Sequence, residues 1–196
     1  MPHGLAGHGA PGVLAATSHA GRSSSVLIGM NDMLYTQFES PIGPLLLCGD
    51  EARLTGLYTA PRCHDETVVG NARRADAPFA RVREQLEQYF AGERLEFDLP
   101  LSFEGGSPFF QSVWRSLLEI PLGATTTYGE IARKLGRPGA ARAVGLANGR
   151  NPISVIVPCH RVIGASGGLT GYAGGLDRKR FLLDHEAEVA VAHAVD

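Results

Sequence analysis

The sequence has little that would mark it as a secreted or membrane protein. It contains three cysteines, an odd number that is poor for a disulfide framework and better suited to a reducing compartment. No apolar run reaches the roughly 18 residues that a membrane-spanning helix needs. The N-terminus lacks the basic stretch and apolar core of a secretory signal. These absences favour a cytoplasmic protein.

The chain also has little net charge, −2, but this charge is unevenly distributed. Residues 121–180 contain nine Lys or Arg against two Asp or Glu, whereas residues 1–120 contain nine against fourteen. A basic surplus within one segment is typical of a surface that binds phosphates. On charge alone, a solvated basic face explains the same pattern equally well.

Hydrophobic patterning divides the chain into four parts. Residues 1–32 lack periodicity, and we interpret them as a disordered leader or an expression extension. Residues 33–100 predict a small α+β domain. Residues 107–187 predict a helical domain, and residues 188–196 a tail.

The N-terminal domain is predicted to contain a hairpin, a third strand and a helix. Apolar stretches at 34–38 and 45–48 flank the turn Ser40–Gly43, as expected of a β-hairpin. Residues 54–59 predict a third strand. A stripe of apolar residues along 78–91, with proline at the first turn, predicts an amphipathic helix.

Two short helices are predicted within the basic segment. A capping-box pattern at Thr127–Glu130 begins the first helix, which ends near Gly136. A tight turn leads to the second helix at residues 140–147. This arrangement resembles a helix-turn-helix, although many ordinary helix pairs look alike.

The second of these helices has an unusual composition for a helix that contacts base edges in the major groove. It consists mainly of Ala and Gly, and Arg142 is its one long basic side chain. Small residues let a helix backbone approach a surface closely while one arginine projects into the duplex. This composition favours minor-groove contact with side-chain insertion over major-groove reading. A helix packed inside the protein would also tolerate small residues.

The segment around Cys159 carries the strongest chemical signal. Residues 154–157 predict a short buried strand broken by Pro158, which would fix the position of the next residue, Cys159. The adjacent His160 and nearby arginines favour the thiolate, which is the nucleophilic form of cysteine. A Cys-His pair alone is a weak signal, because buried structural cysteines are common.

Three motifs together resemble the O6-alkylguanine-DNA alkyltransferases: Ala-Arg-Ala-Val-Gly at 141–145, Asn148-Gly-Arg-Asn-Pro152 and Pro158-Cys-His-Arg-Val162. The bacterial members are most similar, through Gly-Tyr-Ala-Gly-Gly at 171–175 and Arg178-Lys179. The resemblance is close over residues 109–186 and general over 33–100. It implies a ribonuclease H-like N-terminal domain and a winged-helix-like C-terminal domain.

The resemblance implies a chemical role for five residues. Cys159 would accept the alkyl group, His160 would take the thiol proton through a water, and Glu186 would orient the imidazole. Tyr128 would protonate the leaving purine. Asn151 would tie the helix pair to the active-site segment.

The resemblance also implies a DNA-contacting surface and a base pocket. Arg142 would fill the gap left in the duplex when the damaged nucleotide flips out. The other DNA-contacting residues would be Thr127, Tyr128, Ala141, Ala143 and Gly145. The base pocket would be lined by Val157, Pro158, Tyr172, Ala173 and Gly174.

The implied activity is direct reversal of O6-alkylguanine, and of O4-alkylthymine, in double-stranded DNA. An S-alkylcysteine is a stable thioether, so each molecule would act once, as a monomer without cofactor, membrane or obligate protein partner. Some relatives bind zinc, but Cys48, Cys63 and His64 do not match those positions and lack a fourth ligand, so no metal is predicted. Cys48 is predicted in the core and Cys63 in an exposed loop.

Three alternatives to alkyl transfer remain. The first is a non-enzymatic lesion-binding protein of the same fold, although such relatives replace the acceptor cysteine. The second is a helix-turn-helix regulator that uses Cys159 as an alkylation sensor, which would need a further domain. The third is a cysteine hydrolase, which would need an oxyanion hole of which the sequence gives no sign.

Overall fold

The computed structural model describes residues 33–194 of the chain. The predicted leader, residues 1–32, lies outside the described residues, as do residues 195–196. Within the described range, none of the helices has the length and apolar character needed to cross a membrane.

A four-stranded sheet forms the first part of the fold. The predicted hairpin and third strand are present as β1 (Leu34–Phe38), β2 (Leu45–Gly49) and β3 (Leu54–Tyr58), and these strands are antiparallel neighbours. A fourth strand, β4 (Arg73–Arg74), pairs in parallel with β1 and gives the order β3-β2-β1-β4. The sequence did not predict β4, because its exposed arginines have no hydrophobic pattern.

Two helices accompany this sheet. The first, α1 (Glu66–Val69), is a single turn. The second, α2 (Ala80–Phe90), follows a 3-10 turn at Ala77–Phe79 and places Val82 and Leu86 in the core. The predicted helix at 78–91 is therefore present, with a 3-10 turn in place of its first residues.

Four helices form the second part: α3 (Pro108–Leu117), α4 (Tyr128–Lys134), α5 (Ala141–Gly149) and α6 (Leu176–His193). The predicted capping box at Thr127 and Glu130 is present at the start of α4. Two short strands, β5 (Thr126–Thr127) and β6 (Val162–Ile163), pair in parallel beside these helices. Helix α6 continues through residues 188–193, so that part of the predicted tail is helical.

Helices α4 and α5 are joined by the predicted turn and pack against each other, and α5 also packs on α3. Trp114 of α3 is buried, and its indole N–H donates to the carbonyl of Ala147 in α5 at 2.8 Å. The Trp114 side chain therefore belongs to the core, as predicted, and fixes α5 from beneath.

The N-terminal sheet directly supports the segment that leads to Cys159. The amide of Leu57 in β3 donates to the carbonyl of Pro152 at 2.9 Å, and the amide of Ser154 donates to the carbonyl of Leu57 at 2.9 Å. These bonds place Ile153 beside β3 in a parallel bridge. One continuous hydrophobic core therefore spans both parts of the fold.

The prediction of a strand at residues 154–157 is wrong. These residues form turns, with Val155 at φ 69° and the amide of Val157 bonded to the carbonyl of Ile153 at 3.0 Å. The run is apolar because it is buried. Without alternation, an apolar run does not distinguish a strand from a buried turn.

The prediction of an exposed Cys63 is also wrong. Cys63 lies in a 3-10 turn, is 4% exposed and packs with Leu46 and Cys48 in a second small cluster. Charged and polar neighbours in the sequence suggested an exposed loop, but the turn directs this thiol inward. Cys48 is buried, as predicted.

Candidate active site

Cys159 begins a 3-10 turn directly after Pro158 and is 4% exposed. Its amide donates to the carbonyl of Val157 at 2.8 Å. Burial raises the pKa of the Cys159 thiol, whereas a hydrogen bond with the side chain of Asn151 and the charge of Lys179 act to lower it. At neutral pH the sulfur is therefore a thiol, which needs a base to become a nucleophile.

Two asparagines fix the turn that carries this thiol. The Asn151 amide group donates to the carbonyl of Val157 at 2.8 Å, and its side-chain oxygen accepts from the amide of Ile153 at 3.0 Å. Asn148, in the last turn of α5, donates to the carbonyl of Cys159 at 3.2 Å. Asn151 was predicted to make the link from the helix pair, whereas no role was predicted for Asn148, a buried polar residue in a helix of small apolar ones.

His160 and Glu186 form a buried pair next to the thiol. The imidazole Nε2 lies 2.8 Å from the Glu186 Oε1, and neither side chain is exposed. Burial lowers the pKa of His160, and Glu186 acts in the opposite direction. His160 is therefore neutral at physiological pH. Its Nδ1 has no hydrogen-bond partner among residues 33–194, so this nitrogen can accept a proton.

Two residues for which no contact with Glu186 was predicted, Arg161 and Tyr89, complete the surroundings of this carboxylate. Arg161 donates from Nε to Oε2 at 2.8 Å and from Nη2 to Oε1 at 2.9 Å. Tyr89 of α2 donates its hydroxyl to Oε1 at 2.7 Å. Burial acts to raise the pKa of Glu186, but His160 and Arg161 hold it well below its usual range. The only sequence signal for Tyr89 is that a buried tyrosine needs a partner for its hydroxyl.

Replacing Tyr89 by phenylalanine removes this hydroxyl and keeps the buried ring. We expect Tyr89→Phe to lower the free energy of unfolding by about 1.5–3 kcal/mol, because a buried hydrogen bond to a charged group is lost. Urea unfolding measures this change. Tyr35→Phe is the matched control, since the Tyr35 hydroxyl makes no hydrogen bond within the described residues. Equal losses in the two variants would contradict the role given to Tyr89.

Lys179 lies beneath the same site and is completely buried. Its Nζ donates to the carbonyls of Val162 at 2.6 Å and Thr170 at 2.8 Å. Burial lowers the pKa of Lys179, while Cys159 acts to raise it. Lys179 belongs to a motif that carries the family resemblance, but no role was predicted for it.

The predicted base-pocket residues are buried or half-buried, with one exception. Val157 and Pro158 are buried beside Cys159, and Gly174 is buried against the ring of Tyr172. The Tyr172 hydroxyl is buried without a partner in the described part of the chain, and burial raises its pKa well above the usual value. Ala173 is exposed.

Tyr128 connects the helix pair to this pocket. Its hydroxyl lies 3.4 Å from the carbonyl of Thr170, at the start of the loop that carries Tyr172. Its ring lies beneath Gly145 of α5, where a Cβ would approach the ring to 3.7 Å. The hydroxyl of Thr127 accepts from the amide of Glu130 in the cap of α4.

Helix α5 carries four of the predicted DNA-contacting residues. Arg142 and Ala143 are exposed, and Ala141 and Gly145 are half-buried, whereas Val144 is buried in the core. Across residues 33–194, the Arg142 side chain forms no hydrogen bond or ion pair. It is therefore free to reach a ligand.

One large cavity does not include the thiol of Cys159 in its lining. It has a volume of about 1040 Å³ and is lined by residues of 95–104, α3 and the end of α6. Pro158 and Arg161 touch it, but Cys159 does not. Within the described range, no group of three or more His, Cys, Asp or Glu side chains could hold a metal ion.

Two family models match the chain. The ribonuclease-like domain of 6-O-methylguanine DNA methyltransferase matches residues 33–103, and the DNA binding domain of the same family matches residues 108–188. The first is an α+β sheet domain and the second a helical domain, in agreement with the predicted fold class.

Several relatives are similar over most of their length. The methylated-DNA–protein-cysteine methyltransferase of Methanosarcina acetivorans is 54% identical over 154 residues, 79% of this chain and 98% of the relative. The protein of the same name from Mycolicibacterium paratuberculosis is 55% identical over 149 residues, 76% of this chain and 89% of the relative.

Solved structures agree with these relatives. The O6-methylguanine methyltransferase of Mycobacterium tuberculosis is 52% identical with a TM-score of 0.74, over 80% of this chain and 93% of that chain. OGT from the same organism, in complex with DNA, is 52% identical with a TM-score of 0.74, over 80% and 94%. With both family models matched and relatives more than half identical, the chain belongs to the 6-O-methylguanine DNA methyltransferase family.

Proposed function

We propose that this protein repairs alkylated DNA by moving the alkyl group of O6-alkylguanine in a duplex onto the sulfur of Cys159. The observation that carries the proposal is the buried Cys159-His160-Glu186 arrangement, in which Glu186 lies 2.8 Å from the imidazole of His160. The relatives named methylated-DNA–protein-cysteine methyltransferases support the same enzyme activity.

The transfer proceeds as one displacement with balanced protons. The thiol proton passes through a water to Nδ1 of neutral His160, and the sulfur attacks the alkyl carbon in line. The S–C bond forms as the bond between that carbon and guanine O6 breaks, and the electron pair remains on the purine. Tyr128 gives a proton to the purine and regains one from solvent as His160 releases its own. The net change replaces the thiol hydrogen by the alkyl group and returns guanine with a hydrogen.

The charges around the site suit this sequence of events. Glu186 is ionised, because His160 and Arg161 keep its pKa low, and it stabilises the imidazolium that forms transiently. The positive charge of buried Lys179 favours the thiolate of Cys159. The product is a thioether with no route back to the thiol, so each molecule acts once.

We propose that DNA binds along the outer face of α5. The small side chains Ala141, Ala143 and Gly145 let the backbone approach the minor groove, and Arg142 enters the gap left by the flipped nucleotide. Thr127 contributes to the same surface at the start of α4. The flipped base then lies between Tyr128 and the loop that carries Tyr172 and Gly174, with Ala173 at the rim and Val157 and Pro158 at the base.

The same site also suits O4-alkylthymine, whose alkyl carbon is likewise bonded to an exocyclic oxygen. All three cysteines are free, in keeping with a reducing, cytoplasmic location. We propose that the protein acts as a monomer without a cofactor or obligate protein partner, because the nucleophile, the base and the carboxylate come from one chain. A non-enzymatic lesion-binding role is not favoured, since the acceptor thiol and its base are both in place.

Intact-mass spectrometry after incubation with a duplex containing O6-methylguanine tests the proposal. We expect wild-type protein to gain the mass of one methyl in place of a hydrogen, with peptide mapping to Cys159. Cys159→Ala should bind the duplex without any gain in mass. Cys63→Ala is the matched control, because Cys63 lies in a separate cluster, and it should gain the methyl as wild type does.

Two other outcomes are informative. Tight binding of the lesion by wild-type protein with no gain in mass would replace the proposal with the lesion-binding role. A methyl group mapped to Cys48 or Cys63 instead of Cys159 would overturn the assignment of the acceptor.

A further inference from the structure

The loop formed by residues 170–175, which we call the pocket loop, is attached to α6 by two basic side chains. Lys179 donates to the carbonyl of Thr170 at 2.8 Å, at the beginning of the loop. Arg178 donates from Nη1 to the carbonyl of Gly174 at 2.7 Å, near its end. The Nε of Arg178 also donates to the carbonyl of Ile42 at 2.7 Å. One guanidinium therefore joins the pocket loop to the hairpin turn of the N-terminal sheet.

The hairpin turn is a firm anchor for this arginine. Ile42 is 6% exposed, so its carbonyl is fixed by a side chain in the core. The amide of Gly43 donates to the carbonyl of Ser40 at 2.9 Å, and the hydroxyl of Ser40 donates to the carbonyl of Gly43 at 2.6 Å. Gly43 has φ 92°, which favours glycine, and a Cβ there would lie 3.6 Å from Nη2 of Arg178.

The two hydrogen bonds of Arg178, to the carbonyls of Ile42 and Gly174, form what we call the Arg178 bridge. Its Gly174 end lies against Tyr172. A Cβ at Gly174 would lie 2.5 Å from the hydroxyl oxygen of Thr59, which follows β3, and 2.8 Å from the ring of Tyr172. Gly174 therefore packs closely between the N-terminal sheet and the tyrosine beside Cys159. A displacement of Gly174 would move the Tyr172 ring and change the space available near the sulfur.

We propose that Arg178 is a positioning residue that fixes the pocket loop against the N-terminal hairpin and thereby sets the size of alkyl group that Cys159 accepts. The inference rests on the proposed function, and it assigns the N-terminal sheet a part in substrate selection. A planar guanidinium donates in fixed directions from Nε and Nη1, so it can bond two carbonyls on different elements at once. The single ammonium of lysine does not reproduce this geometry.

Loss of the Arg178 bridge should affect the transfer rates of small and large alkyl groups in opposite directions. A methyl group makes few contacts, so its alignment with the sulfur depends on a fixed pocket. Misplacement by about 1 Å can cost up to about a hundredfold in rate. A benzyl group is large enough to contact the pocket walls by itself, and a loosened loop gives it more room. The ratio of benzyl to methyl transfer rates should therefore rise.

The test compares Arg178→Met and Arg178→Lys with Arg180→Met, which removes an equal charge from an exposed side chain of the same helix. Single-turnover rates at saturating duplex, and the duplex concentration at half-saturation, are measured for O6-methylguanine and O6-benzylguanine. We expect both Arg178 variants to transfer methyl about tenfold more slowly with half-saturation changed less than about twofold. The benzyl-to-methyl ratio should rise at least severalfold, and Arg180→Met should change neither rate.

Three results would overturn the inference. These are an unchanged ratio in both Arg178 variants, full recovery by Arg178→Lys, and a loss that Arg180→Met reproduces. Hydrogen exchange of residues 171–175 provides a measurement that does not depend on transfer, and it should be faster in Arg178→Met than in wild type. If wild type itself transfers neither group, the proposed function fails, and this exchange difference alone decides whether Arg178 fixes the loop.

Discussion

Replacing Glu186 by glutamine will lower the free energy of unfolding by about 3–5 kcal/mol, because it leaves the buried charge of Arg161 without its carboxylate partner. Glutamine has the size of glutamate, but its amide must place an N–H group toward donors. Oε1 accepts from Tyr89, His160 and Arg161, and Oε2 accepts from Arg161. Either orientation of the amide therefore opposes a donor with a donor.

The same change will slow methyl transfer by about a hundredfold, because His160 loses the carboxylate that orients it and stabilises its charged form. Urea unfolding and single-turnover transfer measure the two effects. Glu188→Gln, an exposed residue of the same helix, should change the free energy of unfolding by less than about 0.5 kcal/mol. Equal free energies of unfolding and equal transfer rates in the two glutamine variants would contradict the role given to Glu186.

The stability difference between wild type and Glu186→Gln should depend on pH. The pKa of Glu186 is lower in the folded protein than in the unfolded chain, so its contribution is complete above the unfolded value. That contribution begins to fall as the pH drops below about 4.3, the ordinary value for glutamate, and is lost through the folded pKa. The difference should therefore shrink in acid, and a constant difference from pH 7 to pH 3 would argue against an ionised Glu186.

Replacing Arg142 by alanine will slow repair of duplex DNA by about 30- to 100-fold and leave reaction with free O6-benzylguanine base unchanged. A side chain in the vacated stack offsets an unstacking cost of a few kcal/mol, and each 1.4 kcal/mol corresponds to about tenfold. The free base needs no flipping, so it enters the pocket without this help. The transfer rate at saturating duplex measures the first effect, and the transfer rate with free O6-benzylguanine measures the second.

Arg150→Ala provides the comparison for Arg142→Ala. Arg150 is exposed directly after α5, and its guanidinium lies over the ring of Phe110 at 5.7 Å. Its loss should weaken duplex binding slightly and leave the rate at saturation unchanged. Equal losses on duplex and free base in Arg142→Ala would remove the flipping role from Arg142.

The parts of the fold that follow local rules were predictable from sequence. The hairpin at Ser40–Gly43 and the capping box at Thr127 depend on residues close together in the chain, and both are present. The turns at 154–157 were not predictable, because Val155 takes a positive φ in order to bury an apolar run. That conformation is stabilised by Asn151 and β3, which lie outside the run.

The chemistry of the site was partly predictable for the same reason. Cys159 and His160 are adjacent in a distinctive motif, and the resemblance supplied Glu186. Tyr89 comes from a helix 97 residues before Glu186, and no local pattern links the two. Arg178 was visible in a motif, but its bond to Ile42 depends on how the N-terminal hairpin packs on α6.

The hydrogen bond from Trp114 to Ala147 has a practical consequence for following DNA binding. Trp114 is the one tryptophan of the chain, so the intrinsic fluorescence excited at long wavelength comes from a single indole. That indole lies directly beneath the helix we expect to contact the minor groove, and its N–H bonds to the backbone of that helix. A displacement of α5 should alter the emission of this indole. The unmodified protein therefore carries its own optical probe of duplex engagement, in stopped-flow experiments that need no attached dye.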